Sequence, residues 1–333
     1  MVTAAAGIGR ARRRAVRRLP PNLLSGPFGL LGLAVVWRTA ATGLGTPPAV
    51  ADALAVAGTA VLVAVLAGWW AGGARRVLAD VHDPVLSPFV ALAPIDLLLV
   101  AEQLRFHAPA AGDALCLFAV VVIVVLAGAL LGVWMRSLPD PDLVHPGYLL
   151  PTVAGGLLAA GAASAAGAPG LAVMAFGIGA FGWLTVGTIA MARLLLRAPL
   201  PDALVPTCAI LVAPPAVAGN AWFAMNGGVA DDVGLLLAGI TVLAAVAQLA
   251  LVPRYRSAGF SPAYLSFTFS WTAVATLALR WIALERPFAT DVLAALVLAA
   301  ISLLVGAIAW RVLIAVHSGT FFAAPAKLRG AAP

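Results

Sequence analysis

Apolar stretches about twenty residues long recur along the whole chain, separated by short polar breaks. About twenty residues of helix cross the hydrocarbon core of a bilayer, so each stretch is long enough to span one. The pattern predicts ten helices near 22–43, 50–73, 86–105, 110–135, 148–167, 170–197, 202–224, 230–252, 262–283 and 288–316. The breaks carry turn chemistry: Gly43 to Pro48, His82-Asp83-Pro84, Pro139-Asp140-Pro141, Ala168-Pro169-Gly170 and Asn226-Gly227-Gly228. Trp37, Trp69, Trp70, Trp134, Trp222, Trp281 and Trp310 fall near span ends, where indole rings favour the headgroup level. The chain divides into a basic tail over 1–21, a ten-helix transmembrane domain over 22–317 and a tail over 318–333.

Composition sharpens this reading. Of 333 residues, 63% are hydrophobic and 10% charged, and the mean hydropathy is +1.05. A soluble domain carries about 25% charged residues because its surface faces water, so this chain needs lipid as its solvent. Its 33 glycines and 24 prolines are tolerated in membrane helices. The net charge of +7 is no nucleic-acid signature, because Arg10, Arg12, Arg13, Arg14, Arg17 and Arg18 crowd one tail. That tail reads as a cytoplasmic anchor on anionic lipid. Of the 20 Lys and Arg residues, sixteen fall in the tails and in the turns after even-numbered helices, and Arg38, Arg105, Arg280 and Arg286 fall opposite. The positive-inside rule then puts both termini in the cytoplasm and the protein in the cytoplasmic (inner) membrane.

Proline is distributed unevenly. Pro27 lies in the first helix, Pro88 and Pro94 in the third, Pro151 in the fifth, and Pro206, Pro214 and Pro215 in the seventh. The ninth has Pro262 at its start, and the even-numbered helices have none in their interiors. A proline removes a ladder donor and kinks a helix, and it persists where neighbours or a wet cavity satisfy the freed carbonyl. The sequence therefore predicts five helical hairpins. In each, a kinked inner helix (1, 3, 5, 7 or 9) faces a central pore and a straight outer helix faces lipid.

Several chemistries are excluded. No phosphate-binding loop is present to drive a pump. His82, His107, His145 and His317 sit at separate span ends without ligand spacing, so no metal site is expected. Cys116 and Cys208 both lie inside predicted spans and read as small core residues. Asp231-Asp232 reads as the start of a helix, and no nucleophile-base pair points to an enzyme. What remains is movement of a solute through the bundle, with no cofactor implied.

The ninth helix is the most informative. At 100° per residue, Ser266, Phe269, Thr272, Ala273, Thr276 and Arg280 fall within about 60° of one line. The opposite face carries Tyr264, Phe267, Trp271, Val274, Ala278 and Trp281. A hydroxyl stripe ending in a cation suits a wet lumen, where Phe269 would be an isolated apolar plug that gates by excluding water and ions. The competing reading is that the stripe packs on helices 1 and 7. In the third helix, Asp96 costs about 2.5–3.5 kcal/mol to insert and must be paired or protonated. It reads as a neutral buried acid, a structural partner or a proton-coupling group. Glu102 and Arg105 read as a local pair at i,i+3.

Gly26-Pro27-Phe28-Gly29 leading to Trp37-Arg38, and His82-Asp83-Pro84-Val85-Leu86-Ser87-Pro88-Phe89-Val90 with Ala93-Pro94, resemble the tellurite-resistance/dicarboxylate transporter family. So do Tyr148-Leu149-Leu150-Pro151-Thr152-Val153, Leu211-Val212-Ala213-Pro214, Ala221-Trp222 with Asn226-Gly227-Gly228, and Ser266-Phe267-Thr268-Phe269. The match is closest to its TehA-type channels, relatives of plant slow anion channels, and spans roughly residues 20 to 320. The resemblance implies a homotrimer of ten-helix subunits, each with its own pore lined by the odd-numbered helices. A phenylalanine of helix 9, at the position of Phe269, closes that pore. Asp96 and the doublet Pro214-Pro215 depart from the family pattern. The expected activity is an anion channel for chloride, nitrate, a dicarboxylate or an oxyanion. Its wall is expected to include Ser266, Thr272, Ala273, Thr276, Arg280, Pro27, Pro94, Pro151 and Pro214. The alternative is a proton-coupled carrier or exporter of C4-dicarboxylates, sulfite or tellurite, in which Asp96 titrates.

Overall fold

The computed structural model describes residues 19–137, 140–319 and 321. The basic tail up to Arg18, Pro139 and the C-terminal Lys327 and Arg329 lie outside the described residues. Ten helical segments are long and apolar enough to cross a membrane. They are α1 Pro21–Leu44, α2 Pro48–Trp70, α3 Ser87–Leu104, α4 Pro109–Ser137, α5 Pro146–Ala165, α6 Pro169–Leu196, α7 Val205–Met225, α8 Asp232–Ala250, α9 Pro262–Glu285 and α10 Thr290–His317. There is no strand among the described residues. The protein is an all-α, multi-pass membrane protein.

Each odd-numbered span packs on the even-numbered one that follows it. The odd-numbered spans also touch in sequence, α1 to α3, α3 to α5, α5 to α7, α7 to α9 and α9 back to α1, so they close into a ring. Between 44% and 72% of the most apolar stretch of each odd span is buried, against 22% to 33% for the even spans. The less apolar helices are inside and the more apolar ones outside, which is the order a lipid solvent imposes.

The prolines do something other than kink continuous helices. Pro27 is in the first turn of the regular helix Ser25–Leu44, where no ladder donor is lost. Pro94 lies in the first turn of Leu92–Leu104, which follows the break at Ala91. Pro151 sits in a π-helical turn, Leu150–Ala154, ahead of Gly155–Ala165. Pro206 begins a 3-10 stretch, Val205–Val212, and Pro214 and Pro215 begin the α-helix that follows it. Proline here marks the joint where an irregular entry becomes an α-helix. Nor is every outer helix regular. In α6 a π-helical turn covers Trp183–Gly187, beside Thr185 and Thr188, whose hydroxyls donate back to Phe181 O and Leu184 O at 2.7 and 2.6 Å.

Local contacts fix the span ends. Asp231 caps α8 through Gly234 N–H at 2.8 Å and accepts from Trp222 Nε1, and these bonds hold its carboxyl below the usual range. Trp37, Trp69 and Trp134 likewise donate to Ser302, Asp80 and Ser87 rather than only to headgroups. Asp83 Oδ1 accepts from the backbone N–H groups of Val85 and Leu86, both at 2.8 Å, turning the chain into α3. A short helix, Ala74–His82, precedes that turn. The sequence pattern ends the second span at 73 and places these residues in the connection, without predicting a helix there.

Candidate pore

The closest contact in the ring is between α1 and α9. A Cβ at Gly29 would lie 2.0 Å from Thr268 Oγ1, and one at Gly32 would lie 2.5 Å from Thr272 Oγ1. Glycine is what lets these two backbones approach. The approach brings Phe28 of α1 onto Phe269 of α9, stacked with centroids 4.6 Å apart and planes at 27°. Both rings are buried.

Beyond the stack lies a cavity of about 250 Å³ to which all five odd-numbered spans contribute. It runs to the ends of those spans, where Phe106, 53% exposed, lies at the mouth. α9 lines it with Phe269, Thr272, Ala273, Thr276 and Arg280. Thr272 Oγ1 donates to Phe269 O and Thr276 Oγ1 to Thr272 O, both at 2.8 Å. The hydroxyl protons are thus held by the helix itself, and the oxygen lone pairs remain.

Three arginines line the cavity, and two are tethered. Arg38 donates to Asp52 and, at 3.2 Å, to Gln103 Oε1, with its guanidinium 4.4 Å from the Phe106 ring centroid. Arg105 donates to Asp113 and to Ala165 O. The expected Glu102–Arg105 pair is therefore replaced by Arg105–Asp113, because Arg105 ends α3 and meets the first turns of α4. Arg280 Nε has no hydrogen-bond partner. Glu102 lines the same cavity.

The remaining expected wall residues lie elsewhere. Ser266, Pro27, Pro94 and Pro151 are buried and outside the cavity lining, whereas Pro214 is part of it. Asp96 is fully buried off the cavity, and neither of its oxygens has a partner. No cluster of metal-ligating side chains occurs among the described residues. His145, expected at an interface, is instead enclosed between Phe89 and Tyr148. Its Nδ1 accepts from Gly147 N–H, and burial pushes its pKa down to about 4. Phe28, Glu102 and Asn220 were not recognised as lining residues from sequence. The Phe28 signal was Gly29 and Gly32, small residues in a span whose partner helix carries threonines.

A multi-pass helical protein with a largely apolar cavity that carries arginines and hydroxyls inside a ring of inner helices belongs to the class of membrane channels and transporters. The family model for the voltage-dependent anion channel matches residues 18–315, and the chain belongs to that family. It is also 24% identical over 265 residues to the tellurite resistance protein TehA homolog of Haemophilus influenzae, covering 78% of this chain and 80% of that one. Both agree with the tellurite-resistance/dicarboxylate transporter family, one of channels and transporters rather than enzymes.

Proposed function

We propose that the protein is an anion channel of the cytoplasmic membrane, working as a homotrimer with one pore per subunit and both termini cytoplasmic. The cavity between Phe269 and Arg280 is the outer vestibule of the pore, and the stacked Phe28 and Phe269 rings are its closed gate. The observation that carries this reading is a cation-bearing cavity, enclosed by the five inner helices, whose lining includes two stacked aromatic rings. An ion cannot shed its water against apolar rings without large cost, so such a constriction stops conduction without a charge. The arginines at the mouth favour an anion over a cation.

The test is planar-bilayer recording from the reconstituted protein with chloride and nitrate. Phe269→Ala should raise anion current at least about tenfold, and Phe28→Ala should raise it less. Wild-type currents from both variants would remove the gate from these rings. The carrier reading gains nothing from Asp96, whose carboxyl lies off the cavity.

A further inference from the structure

The vestibule carries an imbalance between hydrogen-bond donors and acceptors. Arg38 and Arg105 are held by carboxylates, which leaves Arg280 as the untethered cation among the described lining residues. Against it stand acceptors. The Thr272 and Thr276 oxygens have given their protons to backbone carbonyls. Asn220 donates both ways through Nδ2, to Ala216 O at 2.9 Å and Ala273 O at 3.0 Å. Because carbonyls only accept, these bonds fix the amide orientation and leave Asn220 Oδ1 without a partner. No hydrogen bond or ion pair with another described residue engages the Glu102 carboxyl. It shares the cavity with Arg280 without forming a direct ion pair.

A bare halide or nitrate can only accept hydrogen bonds. In this vestibule it gains Arg280, while the hydroxyl, amide and carboxylate oxygens named above offer it only lone pairs and much of the remaining wall is apolar. A monovalent oxyanion that keeps one proton can accept from Arg280 and donate to an acceptor at once. We propose that Glu102 is the specificity-determining residue of the vestibule, accepting the O–H hydrogen bond of a hydrogen-bearing oxyanion while Arg280 holds its charge. The effect is selection for such anions over halide and nitrate. This inference rests on the channel reading above. Its physical basis is that a site with unmet polar groups discriminates by whether the ligand satisfies them.

Hydrogen carbonate and nitrate make a matched pair: both are planar and monovalent, and they differ in one O–H. Reversal potentials are measured at pH 8 across bilayers holding the full-length Phe269→Ala protein, with hydrogen carbonate on one side and nitrate on the other. Neutral carbon dioxide carries no charge and does not set the potential. Hydrogen carbonate should be the more permeant ion, and adding Glu102→Gln should cut its permeability ratio to nitrate about tenfold. Thr276→Val should lower the ratio by less, in the same direction. Nitrate preferred in the Phe269→Ala protein, or an unchanged ratio on adding Glu102→Gln, overturns the proposal while leaving the channel intact. No conductance for either anion overturns the channel reading and the proposal together. If the Glu102→Gln protein does not elute as wild type on size exclusion, the Phe269→Ala ratio alone decides.

Discussion

The odd-numbered and even-numbered spans share a solvent, yet they follow different rules. The even spans are the more apolar and the less buried. The odd spans are less apolar, include the Gly29 and Gly32 contacts that bring α1 against α9, and begin with the proline joints. In water the most apolar segments go inside. In lipid, apolar surface gains little by burial, so close packing and polar wall groups decide which helices form the ring. Burial here marks the helices that enclose the cavity, and apolarity marks those that shield it.

The largest effect separating the two sets should come from Phe269, on an inner wall. Phe269→Ala should change conductance by at least about tenfold. Phe267→Ala, on the opposite face against Tyr255 and Tyr264, should instead cost about 2 kcal/mol of stability with closed-state conductance kept. Recording both at matched expression checks this, and equal currents would mean that the wrong face of α9 was assigned to the cavity.

Next in size is the entry to α5. His145 is buried neutral with its pKa lowered to about 4. Its contribution is complete above the ordinary histidine value and is lost as pH falls through the folded one. Thermal unfolding in detergent should lose up to about 3 kcal/mol between pH 6.5 and 4. His145→Gln should flatten that slope, and an equally steep slope in the variant would assign the effect to other groups.

A paired glycine test comes third. Gly29→Ala puts a methyl into Thr268 and should cost about 2 kcal/mol. At Gly128, in outer α4, an added Cβ meets nothing within 4 Å, so Gly128→Ala should be neutral or stabilise by about 0.5 kcal/mol. Similar melting temperatures for the two variants would erase the packing distinction between ring and shield. The smallest effect belongs to Asp96. With no partner for either oxygen, Asp96→Asn should leave the pH dependence of transport unchanged and alter stability by no more than about 1 kcal/mol. Loss of pH dependence in flux assays would return Asp96 to the transport cycle.

The ten crossings were legible because span length is set by the bilayer and written locally in about twenty apolar residues. Most of the cavity-facing side of α9 was also legible, because a hydroxyl stripe interrupted by Phe269 is a property of one helix, although Ser266 of that stripe lies outside the cavity lining. Partners distant in the chain were not. Phe28 gives no local sign that it will lie on Phe269, and Arg105 reaches Asp113 across a turn although Glu102 lies within i,i+3 of it. The placement of Pro27 and Pro94 in first turns depended on where each helix begins, and sequence boundaries are uncertain by a few residues. The π-helical turn of α6 had no proline to announce it.

The glycine seam between α1 and α9 has a mechanical consequence. With Gly29 against Thr268 and Gly32 against Thr272, the two helices interlock like meshed teeth, and sliding either by a fraction of a turn would drive a threonine into backbone. If the Phe28 and Phe269 rings are the gate, as proposed above, they would open by swinging about their own torsions while the helices stay still. Side-chain torsions move far faster than helix displacements. Openings of the intact pore would then be brief flickers, and a ligand that wedges one ring aside would lengthen them without moving the scaffold.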